Sequence, residues 1–375
     1  MILNSFLEIE ENKFPIVIFG SGPAGLSLAL ELEKKNINCL IVEAGEEYYN
    51  EESQSFYKIN TEGTNLKKIS NSRLRQFGGT SALWGGWCKP LSDFDIKKTG
   101  LNPNEISKYK SETCEILGIK NSFRESFINE DFNQIEFQYS DVNFYEKYFS
   151  HVKASKNISL LLNTQLSHFE GKNQKVEKAV CISNGKFFDI KSSEFILCCG
   201  GIENSRILLW TKLKSNNLLK NNLNIGKYWM THYWILGGIG FVHLDNFKSF
   251  MQNKFLDREG VIHIASNENN KKNKLQSGLY LSTNEDQNFI KEMVKSILCI
   301  APEYGKKIAR LALNKSLKCG NIFMHLEEDP IIENKIVLDE NNKDSNQIPL
   351  AKIEYKSSLR SKKNAKSELE KLANL

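Results

Sequence analysis

The sequence is poor in the features that would declare a class at sight. Its eight cysteines include no CxxC pair. Cys39 and Cys198 sit in apolar strand patterns, where a thiol behaves as a small hydrophobe. This argues against a disulfide framework and predicts reduced thiols in a cytoplasmic protein. The six histidines, His151, His168, His232, His243, His263 and His325, are scattered and show no HxxxH spacing. The adjacent Cys198 and Cys199 would point to opposite faces of a strand, so no metal site is predicted. The N-terminus carries Glu8, Glu10 and Glu11 and lacks a basic segment leading into an apolar one, so no signal peptide is expected. The longest apolar stretches, such as Ile235 to Val242, fall far short of a transmembrane segment. With 50 basic and 45 acidic side chains the net charge is only +5. No compact basic motif offers a surface for nucleic acid. No internal repeat is visible. What remains is a chain of 375 residues, 40% hydrophobic, long enough for two domains with real cores.

Against these absences stands one strong presence. Ile16-Val17-Ile18-Phe19 reads as a strand, Gly20-Ser21-Gly22-Pro23-Ala24-Gly25 as a turn into a helix, and Cys39-Leu40-Ile41-Val42-Glu43 as a second strand. Gly20 permits the tight turn, Gly22 lets the backbone approach a pyrophosphate, and Gly25 lets the helix pack close to the sheet. The helix N-terminus offers N–H groups and the positive end of its dipole to the phosphates. Ala29 and Leu32 continue the inward face, and Asn36 can end the helix in the left-handed conformation. Glu43 stands where a carboxylate accepts hydrogen bonds from an adenosine ribose, and an acid there disfavours the 2′-phosphate of NADP.

Further along, residues 44–70 are polar and loop-like, and residues 73–92 form a second glycine-rich segment. A helix is predicted over 103–118, with Asn102 as its cap, Pro103 in its first turn and Gly118 at its stop. Residues 119–150 are aromatic and irregular. Strands are predicted at Ile158 to Leu162, Val176 to Ser183, Lys186 to Ile190 and Phe195 to Cys199, with a turn at Asn184-Gly185. The last of these runs into Gly200-Gly201 and a helix near Glu203. The segment Lys291 to Lys318 reads as a basic amphipathic helix with one solvated face, and a lysine-rich helix runs from about Ser357.

Taken together, the motifs resemble the glucose–methanol–choline (GMC) flavin oxidoreductases. They are GSGPAG with Val42-Glu43-Ala44-Gly45; the run from Arg75-Gln76-Phe77 through Gly78-Gly79-Thr80-Ser81-Ala82-Leu83-Trp84-Gly85-Gly86; Leu197-Cys198-Cys199-Gly200-Gly201-Ile202-Glu203-Asn204-Ser205-Arg206; Asn224-Ile225-Gly226-Lys227 with Met230 and His232; and Pro330 with Glu333-Asn334-Lys335-Ile336-Val337-Leu338. The resemblance implies an α/β chain with a discontinuous Rossmann-like FAD-binding domain, residues 1–100 and 152–233. An α+β substrate-binding domain would use 101–151 and 234–356, followed by a truncated helix at 357–375. It implies FAD contacts at Gly20, Ser21, Gly22, Pro23, Ala24, Gly25, Glu43, Ala44, Gly78, Gly79, Thr80, Ser81, Trp84, Gly85 and Gly200. The implied reaction is FAD-dependent oxidation of a small alcohol, polyol or sugar, with hydride passing to flavin N5; the electron acceptor is unassigned. Trp84 to Leu91, followed by Asp93-Phe94, is closest to the sugar-oxidising branches.

Two departures shape the expectation. Some relatives attach flavin through a histidine in the second loop; Ala82 and Leu83 stand there, so FAD is expected to be non-covalent. The family's catalytic pair, a histidine with a histidine or asparagine, lies in a C-terminal segment with no counterpart among these residues. The catalytic residues are therefore unknown, and His232, in a family-like motif, is not the family's base. The alternative expectation is a catalytically incomplete fragment, or half of a split enzyme that needs a complementing C-terminal fragment. An NAD-dependent dehydrogenase is disfavoured by the two later flavin-facing loops.

Overall fold

The computed structural model describes residues 1–10, 13–64, 66, 69–215, 218–243, 258, 261–267, 277–282, 317–326 and 328–373. Its centre is a five-stranded parallel sheet in the order Ile2–Leu3, Ile158–Leu161, Cys39–Val42, Ile16–Phe19, Glu194–Leu197. Strand residues alternate between faces, and here both faces are buried, which is why these strands read as continuous apolar runs. Val17, Phe19, Leu40, Val42 and Leu161 face one core. Ile18, Cys39, Ile41, Ile158 and Leu160 face the other.

The helices Pro23–Lys34 and Phe144–Ala154 cover the second face, through Leu26, Ala29, Leu30, Phe144, Tyr148 and Val152. Asn36, with φ of 57°, follows the first helix in the left-handed conformation expected of it. The opposite face is covered by an antiparallel sheet of Thr164–Lys172, Lys175–Ser183 and Lys186–Ile190, through Leu166, Phe169, Ala179, Cys181 and Ile190. Asn184 and Gly185 make its tight turn with φ of 49° and 72°, the signature of a type I′ hairpin.

A six-stranded antiparallel sheet runs Tyr233–His243, Leu317–Leu326, Ser277–Ser282, Val261–Ser266, Phe132–Ile135, Glu125–Phe127. Leu317 and Lys318 thus open a strand. The rest of the basic amphipathic helix expected to end there lies outside the described residues. Helix Leu359–Ala373 closes over this sheet, where Ala365, Leu369 and Leu372 meet Phe132, Ile262, Ile264 and Met324. Ser266 Oγ donates to Glu368 at 2.8 Å and Lys371 pairs with Asp131 at 2.5 Å.

Several elements differ from expectation. The helix over 103–118 is two helices, Pro103–Ser107 and Lys110–Leu117, although Asn102 caps the first and Gly118 ends the second with φ of 63°. The loop-like 44–70 holds a strand, Ile59–Gly63, and the irregular 119–150 contributes the edge of the six-stranded sheet. The hairpin Lys335–Lys343 and Pro349–Tyr355, grouped by sequence with 234–356, pairs instead with Ile59–Gly63. It packs on Ile202 and Leu209 of helix Gly200–Lys214, beside the parallel sheet.

Candidate dinucleotide site

Two helices begin at one cavity. The strand Ile16–Phe19 exits through Gly20, whose φ of 100° turns the chain into helix Pro23–Lys34. Gly22 is the N-cap and has no side chain to satisfy the first-turn N–H groups. Gly25 lies against the turn: a Cβ there would stand 2.0 Å from the Gly20 carbonyl oxygen. The strand Glu194–Leu197 likewise leads into helix Gly200–Lys214, whose N-cap, Cys199, makes no side-chain cap bond. Each helix therefore presents unsatisfied N–H groups and the positive end of its dipole to the same space.

That space is a cavity of about 430 Å³. Gly20, Gly22, Pro23, Ala24, Glu43, Ala44, Gly79, Thr80 and Gly200 line it, together with Phe56, Tyr57, Arg73, Arg75, Thr164, Gln165, Leu166, Cys198, Cys199, Glu203 and Arg206. Three expected residues, Ser21, Gly25 and Gly78, support the wall from behind. Ser21 donates from both its N–H and its hydroxyl to Glu43 Oε2, at 2.8 and 2.7 Å. Gly45 N–H donates to Glu43 Oε1 at 2.8 Å. A carboxylate has about four acceptor positions, so the 5% exposed Glu43 keeps one for a ligand while tying the first turn to the second strand.

The second glycine loop is wedged against the first. Gly78 N–H donates to the Ser21 carbonyl at 3.1 Å. A Cβ on Gly79 would stand 3.1 Å from Gly22 Cα, and one on Gly78 2.8 Å from Tyr145 N. Ser81 does not line the cavity. Its buried hydroxyl donates to the Gly78 carbonyl at 2.7 Å and accepts from Phe144 N–H at 3.0 Å, fixing the loop to helix Phe144–Ala154. Trp84 also lies away from the cavity, edge-on to Phe144 at 5.8 Å, and Gly85 is exposed. Ser81 and Trp84 therefore build the scaffold rather than the wall.

Two arginines add positive charge. Arg73 lies over the Tyr57 ring at 4.5 Å and donates to the Tyr57 carbonyl at 3.0 Å. Arg75 lies over Phe56 at 4.4 Å and donates to Ser53 Oγ at 2.5 Å. Burial pushes the Arg75 guanidinium pKa below its ordinary value, against the opposing pull of Tyr57, Glu43 and Glu203. Burial raises the Cys198 and Cys199 thiols, which therefore stay protonated at neutral pH. In the cavity wall, Arg206 is 2% exposed and bridges Glu203 Oε1 at 2.8 Å and Asp344 Oδ2 at 2.6 Å. Its Nε donates to the Pro349 carbonyl at 2.7 Å. This network fastens helix Gly200–Lys214 to the Lys335–Tyr355 hairpin. Burial disfavours the Arg206 charge, and the two carboxylates outweigh that, leaving its pKa raised.

Two solved structures similar to this chain are oxidases. Pyridoxine 4-oxidase from Mesorbium loti superposes with a TM-score of 0.53 at 13% identity, covering 96% of this chain and 79% of its own. A variant of Aspergillus oryzae RIB40 formate oxidase, solved for the effect of its mutation on FAD modification, gives 0.53 at 13%, covering 98% and 81%. This chain has their fold. No known family profile matches the sequence, and no curated protein is significantly similar to it.

Sequence reasoning missed Phe56, Tyr57, Arg73, Gln165 and the ion-paired Arg206. Glu203 and Arg206 carry a faint signal, opposite charges three apart on a helix otherwise rich in apolar residues. Tyr57 carries none, because its place in the wall depends on the fold of the whole 51–75 segment. Among the described residues no group of His, Cys, Asp and Glu could hold a metal ion, and no helix is long and apolar enough to cross a membrane.

Proposed function

We propose that this cavity binds FAD non-covalently and that the chain is an FAD-dependent oxidoreductase of the GMC type acting on the CH–OH group of a small alcohol or sugar. The observation that carries the reading is the convergence of two uncapped helix N-termini, a second glycine loop and two arginines on one cavity. One helix N-terminus suffices to hold a diphosphate in a simple Rossmann unit, and this cavity adds a second N-terminus, a second glycine loop and two arginines to it. The GMC-like order of motifs supports FAD over NAD, and the fold shared with two oxidases agrees with it.

In this reading the Ala24 and Gly25 N–H groups and the N-terminus of Gly200–Lys214 hold phosphate oxygens, Arg73 and Arg75 offset their charge, and Glu43 accepts from the ribose. Bound flavin would supply the two-electron oxidant for a carbinol C–H. Thr80 lines the cavity on the second loop, where a hydroxyl can donate to or accept from the cofactor.

Two predictions follow the cofactor. Acid precipitation of the yellow protein is expected to release the flavin into the supernatant, because Ala82 and Leu83 offer no attachment chemistry. Flavin remaining with the precipitate would contradict this. Glu43→Ala is expected to weaken FAD binding by about 1–3 kcal/mol, the scale of a hydrogen bond to a charged group. It should also lower the unfolding midpoint, since the buried Ser21 and Gly45 N–H groups lose their acceptor. An FAD titration beside a urea melt reads both, and unchanged affinity would show that the carboxylate does not face the ribose. The oxidoreductase reading itself is tested by anaerobic mixing of the flavin-loaded chain with alcohols and sugars. Bleaching of the flavin band supports it; a flavin that no hydroxyl compound bleaches counts against it.

A further inference from the structure

Helix Leu359–Ala373 begins over two buried acids. Glu328 and Asp329 follow the strand Leu317–Leu326 and are 1% and 7% exposed. Ser358 caps the helix, its Oγ accepting from Ser361 N–H at 2.9 Å. Asp329 is paired with that turn: it accepts from Ser358 Oγ at 2.8 Å and from Arg360 Nη1 at 3.1 Å. Glu328 is not. Both of its carboxyl oxygens are buried, and neither takes a hydrogen bond from the described residues. A helix N-terminus favours a negative charge, and Asp329 already occupies that place. Arg360, the cation of the same turn, is committed to Asp329.

The groups facing Glu328 come from the hairpin, the helix and its own segment. They are the Tyr355 hydroxyl, the Ser358 N–H, the Ser361 hydroxyl and the Asp329 charge. Tyr355 is held edge-on to Trp229 at 5.5 Å. Burial pushes the Glu328 carboxyl above its ordinary range, and Asp329 adds to that; Tyr355, Ser358 and Ser361 pull it down without offsetting burial. A neutral carboxyl can stay enclosed and donate its O–H. An ionised one is a buried charge without a counter-ion, which is costly. The seat of the helix is otherwise modest. Ala365, Leu369 and Leu372 supply its apolar contact, and the pairs to Glu368 and Lys371 lie in its later turns.

We propose that Glu328 is a proton-operated latch, which lets helix Leu359–Ala373 seat on the six-stranded sheet when neutral and loosens its first turn when ionised. The proton passes to solvent and water enters beside the carboxylate. The helix then lifts from its N-terminal end, while the Ser266–Glu368 and Asp131–Lys371 contacts hold the other. The sign follows from linkage. A carboxyl raised by docking contributes its full stabilisation below the ordinary value of 4.5 and loses it as pH rises through the docked value. The latch is independent of the cofactor. Its release uncovers the apolar sheet face of Phe132, Ile262, Ile264 and Met324.

The test is hydrogen exchange of the whole chain, read by mass spectrometry from weakly acid to weakly alkaline pH and corrected for the intrinsic exchange rate. In wild type the protection of residues 359–373 is expected to fall severalfold as pH rises, while that of strands Ile16–Phe19 and Cys39–Val42 stays level. His263 and His325 lie on the same sheet, and histidine also titrates in this range. Glu328→Gln and Glu328→Met therefore run beside wild type. Neither can ionise at this position, and each is expected to keep the helix protected across the range. Wild-type protection of 359–373 that does not change with pH overturns the proposal without reference to any variant. A fall of equal slope in wild type and in either folded variant overturns it too.

Discussion

Arg206→Met is expected to cost about 3–5 kcal/mol of stability, the price of breaking a buried ion pair from one side. The side chain is fully enclosed and holds Glu203 and Asp344 together with the Pro349 carbonyl. Methionine keeps much of the volume and removes the charge, leaving two carboxylates in a low-dielectric interior. Asp344 also accepts from Gln165 at 3.0 Å, so the loss reaches the strand Thr164–Lys172. A domain is stable by only about 5–15 kcal/mol, so the variant should melt far below wild type in urea. Adding Glu203→Gln and Asp344→Asn should recover much of the loss, because replacing a whole buried charge set is often near neutral. A single-variant loss below about 1 kcal/mol, the scale of a surface pair, would mean that the network is solvated.

Gly25→Ala should nearly abolish cofactor binding. A Cβ 2.0 Å from the Gly20 carbonyl oxygen and 3.2 Å from the Ile18 side chain cannot be relieved by a rotamer change, because the nearest obstacle is backbone. Helix Pro23–Lys34 must lift from the sheet, carrying the Ala24 and Gly25 N–H groups away from the phosphates. Overpacking costs about 1–3 kcal/mol, occasionally more. We expect a loss of affinity of roughly 100-fold or more, about 2.8 kcal/mol at 1.4 kcal/mol per tenfold, with a lowered melting midpoint. Gly22→Ala is the informative partner. Gly22 has a φ of −68° and open space where its Cβ would stand. That variant should fold as wild type and lose affinity only because the added methyl keeps the pyrophosphate from the backbone there. Equal affinity in all three proteins would contradict the cofactor placement.

What was legible in the sequence was what local rules dictate. The first turn, its glycines, Asn36 and the Asn184-Gly185 hairpin follow from backbone conformations few residues can adopt, and the buried parallel strands from unbroken apolar runs. Ile59–Gly63 was not legible, because INTEG has one apolar residue and its pairing partner lies almost 300 residues away. Helix Phe144–Ala154 hid its period among aromatic residues, although Phe144, Tyr148 and Val152 lie four apart on one face. Ser81 and Trp84 sit in the motif that points to flavin, yet their work is to hold the loop to that helix. The Arg206 network was half legible: Glu203 and Arg206 stand three apart on one helix, but Asp344 and the Pro349 carbonyl come from a separate element that no spacing along the chain announces.

The central claim is that the paired helix N-termini and the second glycine loop form an FAD site, and a fluorescence titration of flavin-free protein with FAD tests it most directly. The account predicts saturable binding of one FAD per chain, weakened in Gly22→Ala without loss of fold and nearly lost in Gly25→Ala. A chain that is folded by circular dichroism and binds no FAD would contradict it.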